Sequence, residues 1–117
     1  MTTSDDIERR RAAGRRELED LLGRGIVQKV LLLPAEFGGT EDPRNVTWLP
    51  LPSIAEENAF DSAVRQRIQC GEAVRYGAMP TYEGDSMIPD ALRLVVAGRE
   101  TAECVVNVKQ SKTWKTT

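Results

Sequence analysis

ALRLVVAGRETAECVVNV, residues 91–108, is the stretch that decides the fold of this chain. β-branched and apolar residues fill ALRLVVAG and AECVVNV, which is typical of strands, and GRET between them is typical of a hairpin connection. A third strand is predicted upstream at EAVRYGAMP (residues 72–80), where it ends at Pro80. Three strands in this order predict an antiparallel meander.

Two helices and a further strand are predicted before the meander. SDDIERRRAAGRRELEDLLGRG (residues 4–25) has acids in its first turn and leucines near one face, which favours a helix, although Gly14 weakens its middle. IVQKVLLL (residues 26–33) is bounded by glycine and proline, so it predicts a strand. The second helix is predicted to begin at Ser53, with Glu56 completing a capping box.

These elements predict an α+β fold, with an antiparallel sheet of about four strands and two helices, one of them packed on the sheet. The prolines of VTWLPLP (residues 46–52) are expected to confine that segment to a sheet edge or to no sheet. We expect an N-terminal helix over residues 1–25, a single α+β domain over 26–109 and a polar tail over 110–117. The apolar stripe of the second helix is predicted to comprise Ala59, Phe60, Ala63, Val64 and Ile68.

The composition excludes several kinds of site. The 117 residues include no histidine, which rules out a histidine base, a Ser-His or Cys-His nucleophile pair and a histidine zinc site. Cys70 and Cys104 form no metal-binding motif, and no glycine-rich nucleotide loop occurs. We therefore expect no catalytic residue, no metal and no cofactor.

The charge balance argues against nucleic acid as a partner. The net charge is −2 and the pI is about 5.2, whereas domains that bind phosphate backbones carry a basic excess or a basic face. Acidic residues flank the arginines between Arg9 and Arg16 on both sides, which is typical of a solvated mixed-charge helix face. No signal sequence or membrane-length apolar run is evident, so we expect a cytoplasmic protein that does not associate with membranes.

Three short segments carry a resemblance to a known family. Gly38-Gly39 followed by Asn45, then Gly71 and Val74, then a Tyr-x-Gly-x-Ser-x-x-Pro loop over residues 82–89 resemble the C-terminal part of the DNA/RNA non-specific endonuclease family. The likeness is to the ββα-metal toxin domains of bacterial polymorphic toxins and covers roughly residues 30 to 98. By that resemblance Asn45 would be a metal ligand. The family's Asp-x-Gly-His segment is replaced here by VQKVLLLPAE, which implies a degenerate, catalytically inactive relative.

We therefore expect a non-catalytic protein-binding module, an immunity-type or accessory partner of a bacterial toxin or nuclease. The alternative is a divergent metal-dependent nuclease or hydrolase that uses carboxylates without histidine, since acids from two loops could hold a divalent cation. A third interpretation is a homodimeric structural domain.

The binding surface is expected on two acidic loops, EFGGTEDPRN (residues 36–45) and TYEGDSMIP (residues 81–89), which would form one continuous surface for a basic protein partner. The predicted rim charges are Glu36, Glu41, Asp42, Glu83 and Asp85, and the predicted apolar anchors are Phe37, Tyr82 and Met87.

Overall fold

The computed structural model describes residues 4–108, which form two helices and five strands with two short 3-10 turns. The elements are α1 (Ser4–Gly23), β1 (Val27–Leu31), the turns Ala35–Phe37 and Pro43–Asn45, β2 (Val46–Pro50), α2 (Leu51–Gln69), β3 (Arg75–Thr81), β4 (Ala91–Ala97) and β5 (Thr101–Asn107). The predicted α+β class is confirmed. The predicted polar tail, residues 110–117, lies outside the described residues.

The strands form two antiparallel sheets, so the prediction of one sheet of about four strands is wrong in that detail. β3, β4 and β5 form the predicted meander, and β1 pairs with β2 in a separate two-stranded ladder. Pro50 stands in the last pair of that ladder, opposite Val27, where the missing proline N–H does least harm. The two sheets share one core without a common ladder.

The core is aliphatic and draws on every part of the described chain. Along β4 the side chains of Leu92, Leu94 and Val96 point inward, while Arg93 is exposed, as expected for a sheet with one covered face. α1 joins the same core through Leu18 and Leu21. Neither helix within residues 4–108 combines the length and the apolarity needed to cross a membrane.

The second helix begins earlier than predicted. It starts at Leu51, with Pro50 at the cap position and a proline in the first turn, and no side chain caps it. Proline suits this position because the first N–H groups of a helix have no partner within the helix. The predicted capping box at Ser53 is therefore wrong, and Ser53 is buried instead.

Candidate functional site

The loop between β1 and β2 is closed by Asn45. Its Oδ1 accepts a hydrogen bond from Leu33 N–H at 2.8 Å, and its Nδ2 donates to Leu33 O at 3.1 Å and to Thr40 O at 2.8 Å. Gly39 lies inside this closure, where a Cβ would overlap the carbonyl oxygen of Leu33. Gly38 has a φ of 100°, which favours glycine. The Gly-Gly and Asn residues of the family resemblance thus have a structural role here.

The predicted acids of this loop are engaged in ion pairs within the chain. Glu36 accepts two hydrogen bonds from Arg65, which lower the pKa of its carboxyl group. Glu41 pairs with Lys29 at 2.9 Å. Asp42 pairs with Arg44, whose hydrogen bonds lower the pKa of Asp42. Loop 36–45 therefore presents mixed charge rather than a purely acidic surface.

Phe37 packs within the molecule. The centroid of its ring lies 5.5 Å from that of Tyr76 in β3. The ring centroid of Phe60 in α2 lies 6.1 Å from that of the same tyrosine. Phe37 is half-buried by these contacts. The Phe37 ring therefore holds loop 36–45 against β3.

The second predicted loop is fixed to the rest of the fold at three points. The Tyr82 hydroxyl is 2.7 Å from the hydroxyl of the buried Thr47 in β2. Ser86 Oγ donates to Glu17 of α1 at 2.8 Å. The carbonyl group of Asp85 lies against Gly14, where a Cβ would overlap its oxygen. Gly14 is thus buried beneath this loop rather than being only a weak point of α1.

Residues 82–87, which we call the 82–87 loop, remain accessible despite these anchors. Tyr82 is 43% exposed and Met87 is 37% exposed. Glu83 and Asp85 are exposed between them. The loop therefore offers two large apolar side chains beside two acids.

The predicted anchors Phe37 and Tyr82, one from each loop, lie at different ends of β3. Phe37 packs on Tyr76 near the start of this strand, whereas Tyr82 directly follows its end at Thr81. Tyr82 lies six positions after Tyr76, which corresponds to about 20 Å along an extended strand. Phe37 and Tyr82 thus lie at opposite ends of β3.

The sequence analysis did not predict that a polar face of α2 is buried. The buried residues of the helix are Ser53, Glu57, Asp61 and Val64, whereas three members of the predicted apolar stripe, Ala59, Ala63 and Ile68, are exposed. Spacings of four, four and three residues place the buried set on one helix face. That spacing was visible in the sequence, but hydrophobicity favoured the neighbouring face.

Glu57 and Asp61 line a cleft between β1 and α2, which we call the β1–α2 cleft. Its volume is about 520 Å³, and the charged or amide-bearing residues that line it are Gln28, Lys29, Glu36, Glu57, Asn58, Asp61 and Arg65. Glu57 is 4% exposed, and its Oε2 has no hydrogen-bond partner among the described residues. Asp61 is 5% exposed and accepts a hydrogen bond from the Tyr76 hydroxyl at 2.5 Å.

The environment of this pair shifts its protonation. Burial first, and the charge of Asp61 second, raise the pKa of Glu57 to about 8. Burial also raises the pKa of Asp61, although the hydrogen bond from Tyr76 opposes this shift. Two nearby carboxyl groups in a poorly solvated site resist ionising together. At neutral pH the Glu57 carboxyl group is therefore mostly protonated.

Within residues 4–108 no group of three or more Asp, Glu or Cys side chains could hold a metal ion.

Comparison with known proteins found no match: no family model, no curated protein and no solved structure matches the chain.

Proposed function

We propose that this chain is a non-catalytic protein-binding module, an immunity-type or accessory partner of a toxin or nuclease, which docks a basic protein on the 82–87 loop. The observation that carries the proposal is the combination of three fixed contacts with two exposed apolar side chains. Tyr82 and Met87 are held in place by the loop anchors and yet remain exposed. A preorganised surface binds more tightly because little conformational freedom is lost on docking.

The composition of the loop fits a basic partner. Tyrosine and methionine are enriched at the centres of interfaces, where anchors of this kind supply most of the binding energy. Glu83 and Asp85 flank these anchors and are exposed. Acidic rim residues chiefly accelerate association with a positively charged surface.

Two observations support a non-catalytic role. The chain lacks histidine, so the base that the resembled nucleases use is missing. Asn45, the residue that the resemblance offers as a metal ligand, uses its amide group to close its own loop. Its role in this fold is therefore accounted for without a metal.

The proposal is tested with the protein encoded by the adjacent gene, because the gene of an immunity protein is expected beside that of its toxin. Both proteins would be purified and their affinity measured by surface plasmon resonance. We expect Tyr82→Ala to weaken binding by about 2 kcal/mol, roughly 30-fold, if Tyr82 is a hot spot. Asp85→Lys should mainly slow association.

Met79→Ala is the matched control, because Met79 is 47% exposed in β3 and does not belong to the 82–87 loop. Its affinity should equal that of the wild type. Binding that is unaffected by Tyr82→Ala and Asp85→Lys, or that is lost equally in Met79→Ala, would contradict docking on the 82–87 loop. Hydrogen exchange in the complex should show protection of residues 82–87.

A further inference from the structure

We propose that the β1–α2 cleft is a binding site for a guanidinium or alkylammonium group, with Glu57 and Asp61 as its acceptors. The site uses different residues from the 82–87 loop, and the inference does not depend on the proposed function.

The first observation is that one carboxyl oxygen of Glu57 has no hydrogen-bond partner among the described residues. Glu57 is almost fully buried, lines the cleft, and leaves Oε2 without a hydrogen-bond partner within residues 4–108. Buried polar side-chain atoms are nearly always hydrogen-bonded, because an unsatisfied one destabilises the fold. An exception at the wall of an open cleft points to a donor that arrives with a ligand.

The second observation is the position of Asp61 one helical turn further on. Residues four apart on a helix have Cβ atoms about 5–6 Å apart, so one ligand can reach both carboxyl groups. Tyr76 donates to Oδ1 of Asp61 and holds that side chain in place. A guanidinium group carries several N–H donors in one plane and suits two adjacent carboxyl groups, and an alkylammonium group carries three.

The rest of the cleft also favours an organic cation. Once ionised, the two carboxyl groups would repel an anion. The cationic side chains that line the cleft already have acidic partners, since Arg65 pairs with Glu36 at 2.6 Å and Lys29 pairs with Glu41 at 2.9 Å. Ile54, Val30 and Leu31 supply apolar wall on which an alkyl chain can lie.

Binding should be coupled to the release of a proton. The charged or titratable groups around Glu57 are Asp61 and Arg65 on α2, Tyr76 on β3, Lys29 on β1 and Glu36 in the turn after β1. Glu57 holds its proton at neutral pH, because its pKa is about 8. The incoming cation replaces that proton, which leaves to solvent, and a carboxylate–cation pair is formed. The affinity should therefore increase about tenfold for each unit by which the pH rises towards 8, and it should become constant above pH 8.

The test uses methylguanidine as the probe and N-methylurea as its uncharged counterpart. Amide chemical shifts of the full chain would be followed by NMR from about pH 6 to about pH 9. We expect saturable shifts at residues 54–65 with methylguanidine, tightening with pH, and none with N-methylurea. Calorimetry in two buffers of different ionisation enthalpy should register the released proton.

Glu57→Gln should abolish methylguanidine binding and its pH dependence, because the amide cannot become a carboxylate. Glu56→Gln, an exposed neighbour on the same helix, is the matched control and should bind like the wild type. Circular dichroism confirms that each variant is folded. A capped peptide with a central arginine, compared with its citrulline counterpart, distinguishes the two sources of the cation. Tighter binding of the arginine peptide than of methylguanidine indicates a protein side chain, and the reverse indicates a small molecule.

Three results would overturn the proposal. The first is the absence of saturable binding of methylguanidine above pH 8 to the folded wild-type protein. The second is equal binding of N-methylurea. The third is unchanged methylguanidine binding in folded Glu57→Gln.

Discussion

The side-chain amide of Asn45 binds both backbone polar groups of Leu33, accepting from its N–H at 2.8 Å and donating to its carbonyl oxygen at 3.1 Å. Twelve residues separate the two partners, so this pair closes the whole loop between β1 and β2. The segment from Gly38 to Asn45 is therefore built around a structural closure.

Removing the Asn45 amide should destabilise the fold. Asn45→Ala leaves the Leu33 backbone groups and Thr40 O without this partner, so we expect a loss of about 1–3 kcal/mol in the free energy of unfolding. Urea denaturation measures it. Asn107→Ala is the control, because Asn107 is exposed near the end of β5 and its loss should be within about 0.5 kcal/mol. Equal stability of both variants would show that the loop does not depend on Asn45.

Gly39 should not tolerate a side chain. A Cβ there would overlap the carbonyl oxygen of Leu33, and backbone cannot move aside easily. We expect Gly39→Val to lower the free energy of unfolding by more than about 1 kcal/mol. Gly77→Val is the comparison, because a Cβ at Gly77 meets no atom within 4 Å and β-branched residues suit a strand. A melting temperature for Gly39→Val as high as that for Gly77→Val contradicts the close packing.

The purified protein should not cleave nucleic acid. Plasmid DNA and RNA incubated with it in magnesium or manganese should remain intact, because the chain has no imidazole base and the Asn45 amide is engaged in its loop. Gel electrophoresis over time checks this. Metal-dependent cleavage that is retained by Asn107→Ala and lost in Asn45→Ala, under conditions where both are folded, would establish the nuclease alternative.

Stability should depend on pH through Glu57. Its pKa is about 8 in the folded chain against an ordinary value of 4.5, so between these values the folded state keeps a proton that the unfolded state has released. The stabilising term is complete below about pH 4.5 and is lost as the pH rises through 8. The slope is at most about 1.4 kcal/mol for each pH unit. Urea denaturation at several pH values measures this slope of the free energy of unfolding with pH.

Glu57→Gln should remove most of this pH dependence, and the control Glu56→Gln should retain it. A residual slope of the same sign is expected from Asp61, whose pKa is also raised. The ion-paired carboxyl groups of Glu36 and Asp42 do not interfere, because their pKa values are lowered and they titrate at more acid pH. An unchanged slope in Glu57→Gln would mean that this carboxyl group is not protonated in the folded chain.

The sequence alone determined the meander and the fold class. Residues 91–108 alternate between inward and outward positions around a three-residue connection, so the pairing of β4 with β5 follows from contacts close in sequence. From residue type alone, the Gly38-Gly39 pair could also be assigned to a positive φ or a close backbone approach; Gly38 has the positive φ and Gly39 makes the close approach. These are local properties of the chain.

Only the tertiary structure decided which face of α2 is buried and where each loop lies. The apolar stripe through Ala63 and Ile68 competed with the face that carries Glu57 and Asp61, and the packing of β1 and Tyr76 selected the polar face. Likewise, Gly14 became a contact point only because Asp85, far along the chain, lies against it. Periodicity fixes which residues share a helix face, but the elements that arrive from distant parts of the chain determine which face they cover.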